Sequence, residues 1–358
     1  MRILFICPDI NKPTGGIKQI YRQVDVLNKN GFKAFILHQN RSFKCTWFYN
    51  STPILYNSKI FKDIELLRFG KPKGLQKIRK LINKIVTFKI NKINNQNIEI
   101  TESDILVFPE VYGNKVAKLL PGIKKVIYNQ GCYQTFFGHN LDLNNKETPY
   151  LNKDLIAIIV NSENGKKYIN YSFPKKDLYR VHYGIDRNNF YYQKNKKRQI
   201  AYMPRRLKVD LLQIINILKF RDVLEGWELV EIDNMTENQV ADVLKESAIF
   251  LNFSINEGFG MPPAEAMACG CLVIGYPGKG GDEFFKEEFS YPIPDRNVLM
   301  YAQKLEQLLL NYDKNKLKHL EQGKKASEFI LKEYSIEVEE NDITSVWTSI
   351  FEKNNFNK

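Results

Sequence analysis

Ile3-Leu4-Phe5-Ile6-Cys7, followed by Pro13-Thr14-Gly15-Gly16, then Ile17, Ile20, Tyr21, Val24 and Leu27 at helical spacing, then Asn30-Gly31 ahead of Phe32 to Leu37, is the stretch that decides the fold. The first run is continuously apolar, as expected of a strand buried on both faces. Lys18, Gln19, Arg22 and Gln23 fill the polar face of the helix that follows. Asn30 and Gly31 tolerate the left-handed conformation that ends a helix. A strand, a loop, a helix and a second strand make a crossover unit, and a crossover implies a parallel sheet.

The alternation continues along the chain. Ile105–Phe108, Lys125–Tyr128, Leu155–Val160 and Leu178–His182 read as strands of the first half. In the second half, strands are expected at Gln199–Met203, Trp227–Ile232, Ala248–Phe253 and Leu272–Ile274. Helices are expected at Leu211–Leu218, Val240–Leu244, Pro263–Cys269 and Leu299–Leu310. Two successive alternations predict an α/β protein of two doubly wound, Rossmann-like domains, 1–187 and 188–335, with a linker in the Asn-, Lys- and Tyr-rich stretch 187–198. Ile336, Ile343, Val346, Trp347, Ile350 and Phe351 form one apolar helix face, which needs a partner. The expectation is a C-terminal helix, 336–358, crossing back to the first domain.

Composition sets the outer bounds. The 358 residues are 43% hydrophobic and 26% charged, an ordinary globular balance with room for two cores. No run of 18 or more apolar residues is present, so no membrane-spanning helix is expected. The apolar run at the start is too short for a signal peptide and meets Pro8 at once, so a cytoplasmic location is expected. The five cysteines (Cys7, Cys45, Cys132, Cys269 and Cys271) are odd in number and lie in apolar or small-residue surroundings. Cys269-x-Cys271 has the wrong spacing for zinc, and His38, His139, His182 and His319 are scattered. No metal and no other cofactor is therefore expected. The net charge of +13 favours anionic partners, although a diffuse excess of lysine also reads as a solvated surface. No zinc finger, aromatic RNA-binding motif or helix-turn-helix spacing supports nucleic-acid binding.

The densest chemical signal is Asn252-Phe253-Ser254-Ile255-Asn256-Glu257-Gly258-Phe259-Gly260-Met261-Pro262-Pro263-Ala264-Glu265-Ala266-Met267-Ala268-Cys269-Gly270. It runs from a strand through a turn into a helix. The glycines permit close approach of a ligand to the backbone, and the paired prolines suit a helix start. Free amides there, with the helix dipole, favour an anion. Glu257 in the loop is suited to accept hydrogen bonds from sugar hydroxyls, and Glu265 on the helix to hold a ribose diol. Taken singly, Glu265 also reads as a first-turn acid stabilised by the dipole, and Glu257 as a solvated loop residue.

This string resembles the Glu-x(7)-Glu signature of retaining glycosyltransferases of the GT-B fold, the family-4 group, also called glycosyl transferases group 1. The likeness extends through Val273-Ile274-Gly275-Tyr276-Pro277-Gly278-Lys279-Gly280-Gly281-Asp282-Glu283-Phe284, the Gly15-Gly16 loop, and Val181-His182-Tyr183-Gly184-Ile185-Asp186 with Phe190. It also takes in Ala201-Tyr202-Met203-Pro204-Arg205-Arg206-Leu207-Lys208, which stands where the family has Gly-Arg and then Lys. The resemblance implies two domains facing a central cleft and transfer of a sugar, with retention and without a metal, from a nucleotide-diphosphate-sugar to an acceptor hydroxyl. It implies a role in making cell-surface polysaccharide or glycoconjugate.

By position, Arg205 and Lys208 would neutralise the diphosphate, with Arg206 able to replace either. Glu257 would contact the transferred sugar and Glu265 the ribose. The amides of Gly258, Phe259 and Gly260 would face sugar and phosphate, and Gly15 and Gly16 would close on the diphosphate. Many members carry a His at the end of a first-domain strand; here that strand ends in Asn129-Gln130-Gly131. Glu110, Gln130 and His139 are the acceptor-side candidates.

The expected acceptor is a glycan or a lipid-linked acceptor. Ten basic residues against two acidic ones fall within 62–93, with Leu75, Ile78, Leu81, Ile82, Ile85 and Phe88 near helical spacing. Such a helix can lie on an anionic membrane or pack on the first domain with its lysines in water. Peripheral docking on the inner face of the membrane is the corresponding expectation. The competing functional classes are a non-catalytic nucleotide-sugar-binding subunit of a glycan assembly complex and a GT-B-like phosphorylase or epimerase.

Overall fold

The computed structural model describes residues 1–69, 97–204 and 206–357. Arg205 and the stretch from Leu75 to Phe88 therefore lie outside the described residues. The elements are β1 (Arg2–Ile6), α1 (Gly15–Lys29), β2 (Lys33–His38), β3 (Ile54–Tyr56), α2 (Ser58–Phe69), β4 (Asp104–Pro109), β5 (Lys124–Asn129), β6 (Leu155–Val160), α3 (Glu163–Ser172) and β7 (Leu178–Arg180). They continue with β8 (Lys197–Tyr202), α4 (Lys208–Phe220), β9 (Glu228–Glu231), α5 (Glu237–Glu246), β10 (Ser247–Glu257), α6 (Met261–Ala268) and β11 (Leu272–Lys279). The chain closes with β12 (Ser290–Pro292), α7 (Val298–Asn311), α8 (Lys316–Glu333) and α9 (Ile336–Lys353).

Two compact units result. The first comprises Met1–Val160, Ile169–Tyr179 and Ile343–Lys358. Its sheet runs β3-β2-β1-β4-β5-β6-β7, and β1 to β6 pair in parallel. Ile3, Leu4, Ile6, Ile105 and Leu106 are fully buried, which is why these runs are apolar throughout rather than alternating. The C-terminal segment belongs to this unit. Trp347 is fully buried, 5.8 Å from the Phe5 ring and within reach of Gln23 on α1, and Phe351 meets Phe32 edge-on at 5.1 Å. The apolar face read from Ile343 to Phe351 thus has its partner in β1 and α1.

The second unit comprises Asn161–Tyr168 and Arg180–Asp342. Its sheet runs β12-β11-β10-β8-β9, all parallel. Its core packs Ile200, Ile214, Leu218, Ile249, Ile274, Tyr301 and Leu305 between that sheet and α4 and α7. The division near 187 expected from composition falls instead at 179/180, because Val181, Tyr183 and Ile185 are buried in this unit and Ile185 bridges to Ser335. The return to the first unit begins at Ile343, inside α9, rather than at 336.

The stretch 187–198 is not a free linker either. The Lys196 ammonium donates to the carbonyls of Leu244, Lys245 and Cys269 at 3.1, 2.9 and 2.7 Å. These carbonyls close the C-terminal ends of α5 and α6, where a cation offsets the negative end of the dipole.

The five cysteines are all buried thiols without disulfides. Among the described residues, no helix is long and apolar enough to cross a membrane, and no group of three or more His, Cys, Asp or Glu could hold a metal ion.

Candidate functional site

An open parallel sheet binds ligands outside the carboxyl ends of its strands, where the strand order reverses direction. In the second sheet that point lies between β8 and β10, because β9 lies on one side of β8 while β10, β11 and β12 lie on the other. The loop after β8 carries Arg206 and leads to Lys208 at the start of α4; Glu257 ends β10, and Gly258 to Gly260 form the turn after it. Strand order therefore brings together two motifs some fifty residues apart in sequence.

They touch. Arg206 Nε lies 2.9 Å from Glu257 Oε1, with the arginine half-exposed and the glutamate largely covered. Lys208 is exposed at the first position of α4, behind Leu207 in the left-handed conformation (φ 43°). A lysine at the positive end of a helix dipole is locally unfavourable, and with Arg206 beside it this corner concentrates positive potential. An anion relieves both costs. Asp210, two residues on, is not available for that purpose: its buried carboxylate accepts from Arg296 at 2.8 Å and Tyr276 at 3.1 Å.

The turn itself is built by close backbone approach. Asn256 and Gly260 both have positive φ, 54° and 98°. A Cβ on Gly280 would stand 2.2 Å from the Gly258 oxygen and 2.7 Å from the Phe259 nitrogen. Only glycine at 280 lets the end of β11 support the Gly258–Phe259 peptide. Phe259 contributes its amide to the turn while its side chain, 2% exposed, is sunk among Tyr183, Phe284 and Tyr334.

The helix start departs from the expectation. Helix α6 begins at Met261, so Pro262 and Pro263 occupy its first turn and offer no N–H. Within 261–263 only Met261 can donate an amide, and anion binding by backbone must come chiefly from the loop amides of Gly258 to Gly260. Glu265 lies half-buried on α6, one turn further in.

The first sheet has its reversal between β1 and β4. There the structure gathers Gly16, Glu110 and Gln130, which follow β1, β4 and β5. Gln130 Nε2 donates to the Gly16 carbonyl at 3.1 Å, and the Gln130 amide donates to Glu110 Oε2 at 3.0 Å. The Gln130 Oε1 lies 3.0 Å from where a Gly16 Cβ would stand, whereas a Cβ on Gly15 would meet nothing within 4 Å. Burial pushes the Glu110 carboxyl up to about 7, against the pull of the amides of Gln130, Glu110 and Gly131. His139 is not brought into this group; its ring lies edge-on to Phe136 at 5.4 Å.

Sequence reasoning missed a second polar chain behind the glycine loop. Buried His38 lies 2.9 Å from Asp9 through Nδ1 and 2.6 Å from the Tyr21 hydroxyl through Nε2, and Asp9 also accepts the amides of Gln39 and Asn40. It placed Glu283 in the family-like string but assigned it no role; its carboxylate takes Arg180 at 2.6 Å, the Tyr334 hydroxyl at 3.1 Å and the Glu163 amide at 2.9 Å. Neither has a local pattern: the partners come from three different elements in each case.

Residues 231–327, which include Glu257 and Glu265, match the family described as glycosyl transferases group 1. A protein named alpha-1,6-glucosyltransferase from Actinobacillus pleuropneumoniae is 26% identical over 276 residues, covering 73% of this chain and 79% of that one. The fold matches HepE of Anabaena, crystallised with UDP and glucose (12% identity, 98% and 100% of the two chains, TM-score 0.62). It also matches the pneumococcal O-GlcNAc transferase GtfA with UDP and GlcNAc (11%, 99% and 99%, TM-score 0.63). Residues 231–327 of the second unit thus match glycosyl transferases group 1, in a chain whose two-sheet α/β fold matches that of GT-B glycosyltransferases.

Proposed function

We propose that this chain is a retaining glycosyltransferase that moves a hexose from a nucleoside-diphosphate-sugar to an acceptor hydroxyl in the synthesis of a cell-surface polysaccharide or glycoconjugate. The observation that carries the reading is the meeting of Arg206 and Glu257 across the reversal point of the second sheet. The loop that holds the cation and the turn that holds the acid face one ligand-binding edge, as a diphosphate joined to a sugar requires. Arg206 and Lys208 neutralise the leaving diphosphate, assisted by the positive end of α4. Glu257 accepts hydroxyls of the transferred sugar, Glu265 holds the ribose, and the amides of Gly258 to Gly260 face the phosphate. The diphosphate, as it departs, takes the acceptor proton and lets the hydroxyl attack from the same face. Cationic side chains meet the developing charge, so the proposal includes no metal. The names of the relatives, a glucosyltransferase and proteins crystallised with UDP and a sugar, favour a uridine nucleotide and glucose or a related hexose as donor.

A thermal-shift panel of nucleoside-diphosphate-sugars tests the donor. A matching donor at about 100 times its Kd adds roughly 2.7 kcal/mol of stability and moves Tm by several degrees. No shift with any member of the panel contradicts the reading, and a shift without donor hydrolysis or transfer favours the non-catalytic binding subunit instead.

The reading extends to docking at the inner membrane face through residues 62–93, of which 62–69 lie on α2. Co-sedimentation should rise with the phosphatidylglycerol content of vesicles and fall with salt. Equal pelleting with neutral vesicles contradicts docking.

A further inference from the structure

The carboxyl of Glu110 sits at the ligand edge of the first sheet yet is 9% exposed, too enclosed to serve as an open binding group. What it does hold is backbone. Its Oε2 accepts the Gln130 amide at 3.0 Å, while the neighbouring Gly131 amide, which donates to Asn129 Oδ1 at 3.2 Å, also favours the ionised carboxyl. A Cβ on Gly131 would lie 3.4 Å from Oε1, so glycine at that position lets the carboxyl close in. The Gln130 side chain then continues to the Gly16 carbonyl at 3.1 Å. Three neighbouring strands, β5, β4 and β1, thus have the loops at their carboxyl ends tied in series from Glu110 through Gln130 to the first turn of α1.

The other titratable groups around Glu110 do not compete for it. Lys125 lines the same small cavity, but its ammonium is taken by the carbonyls of Leu120 and Ile123 at 2.9 Å and by Asp154 at 3.4 Å. The Tyr150 hydroxyl receives the Asn129 amide at 2.7 Å. Burial pushes the thiol of Cys132 up to about 11, so it stays protonated across the neutral range, as do Tyr150 and Tyr112, both raised by burial.

We propose that Glu110 is a positioning residue: its buried carboxyl clamps the Gln130–Gly131 turn and so holds the Gln130 side chain on the glycine loop, setting the rim that the first unit offers to a sugar substrate. The role rests on the reading of the chain as a glycosyltransferase. Glu110 acts through Gln130 and touches no substrate. Amide bonds to an ionised carboxylate are shorter and stronger than those to the neutral acid. The carboxyl ionises near pH 7, so the clamp tightens as pH rises through neutrality.

The test uses the full chain labelled with ¹⁵N-glutamine and ¹⁵N-glycine. Between pH 5.5 and 8.5 the amide signals of Gln130 and Gly131 should titrate together with a midpoint near 7, and Glu110→Gln, which keeps the side-chain shape, should abolish that titration. With the donor selected by thermal shift and its acceptor, Glu110→Gln should raise the acceptor KM about tenfold, change kcat less, and flatten the rise of kcat/KM across neutral pH. Absence of the amide titration in the wild-type chain overturns the clamp. A clear titration alongside unchanged KM and pH profile in Glu110→Gln overturns the positioning role while sparing the functional reading. A clear titration in a chain that transfers no sugar overturns the role through the failure of the functional reading itself.

Discussion

Glu257→Ala is expected to lower kcat/KM by about two to three orders of magnitude while leaving the chain folded. The first half of that expectation follows from what Glu257 does in the proposed reaction. A carboxylate accepting from sugar hydroxyls makes charge-assisted hydrogen bonds, each worth about 1.5–3 kcal/mol. Losing them also frees Arg206, its ion-pair partner at 2.9 Å, to settle on the diphosphate in a different orientation. The second half follows from exposure. The Glu257 side chain is 20% exposed and Arg206 49%, and a pair open to water on one side contributes only about 0–1 kcal/mol to stability. Circular-dichroism melts should therefore place the variant within a few degrees of wild type. Turnover at the wild-type rate would remove Glu257 from the site.

Gly280→Ala is expected to damage both the fold and the donor site. Its new Cβ would stand 2.2 Å from the Gly258 oxygen, 2.5 Å from the Gly258 carbonyl carbon and 2.7 Å from the Phe259 nitrogen. These are backbone atoms, and no rotamer change relieves the clash. The turn has to shift, yet Phe259 is held by Tyr183, Phe284 and Tyr334. Overpacking of this kind costs about 1–3 kcal/mol and often more against backbone, which lowers Tm by several degrees in a domain of this size. Donor affinity should fall at least tenfold, because the displaced peptides are those proposed to face the sugar and phosphate. Gly15→Ala is the matched control: nothing lies within 4 Å of its Cβ, so melting should be unchanged. A Gly280→Ala chain with wild-type melting and wild-type donor affinity would show that the contact does not fix the turn.

Much of the fold was legible because parallel strands covered on both faces are apolar throughout. Leu155–Val160 could be bounded to the residue for that reason, and the helix from Gly15 was marked by its periodicity and by Asn30-Gly31. The three-residue strands Ile54–Tyr56 and Ser290–Pro292 were not legible, since so short a run carries no pattern. Helix Lys316–Glu333 hides its buried face under lysines, with His319, Gly323 and Ser327 among the buried positions. The boundary at 179/180 depends on Val181 and Ile185 packing in the second unit, a tertiary fact.

For the site, residue types pointed to Glu257 and Glu110 and the family resemblance to Gln130, but the contacts among them depend on strand order. Nothing local says that Gln130 lies on Gly16, or that Arg206 reaches Glu257, because both contacts depend on which strands become neighbours. The prolines at 262 and 263 were readable, and their cost in lost amide donors became definite only once Met261 was seen to start the helix.

The central claim is that the loop after β8 and the turn after β10 grip one activated sugar together. Calorimetric titration of the selected nucleoside-diphosphate-sugar, and of its nucleoside diphosphate alone, into wild type, Arg206→Ala and Glu257→Ala measures this directly. Arg206→Ala should weaken both ligands by about tenfold or more, in keeping with roughly 1.5–3 kcal/mol for a hydrogen bond to a charged group. Glu257→Ala should weaken the sugar nucleotide far more than the diphosphate. Unchanged affinity of both variants for both ligands would contradict the account.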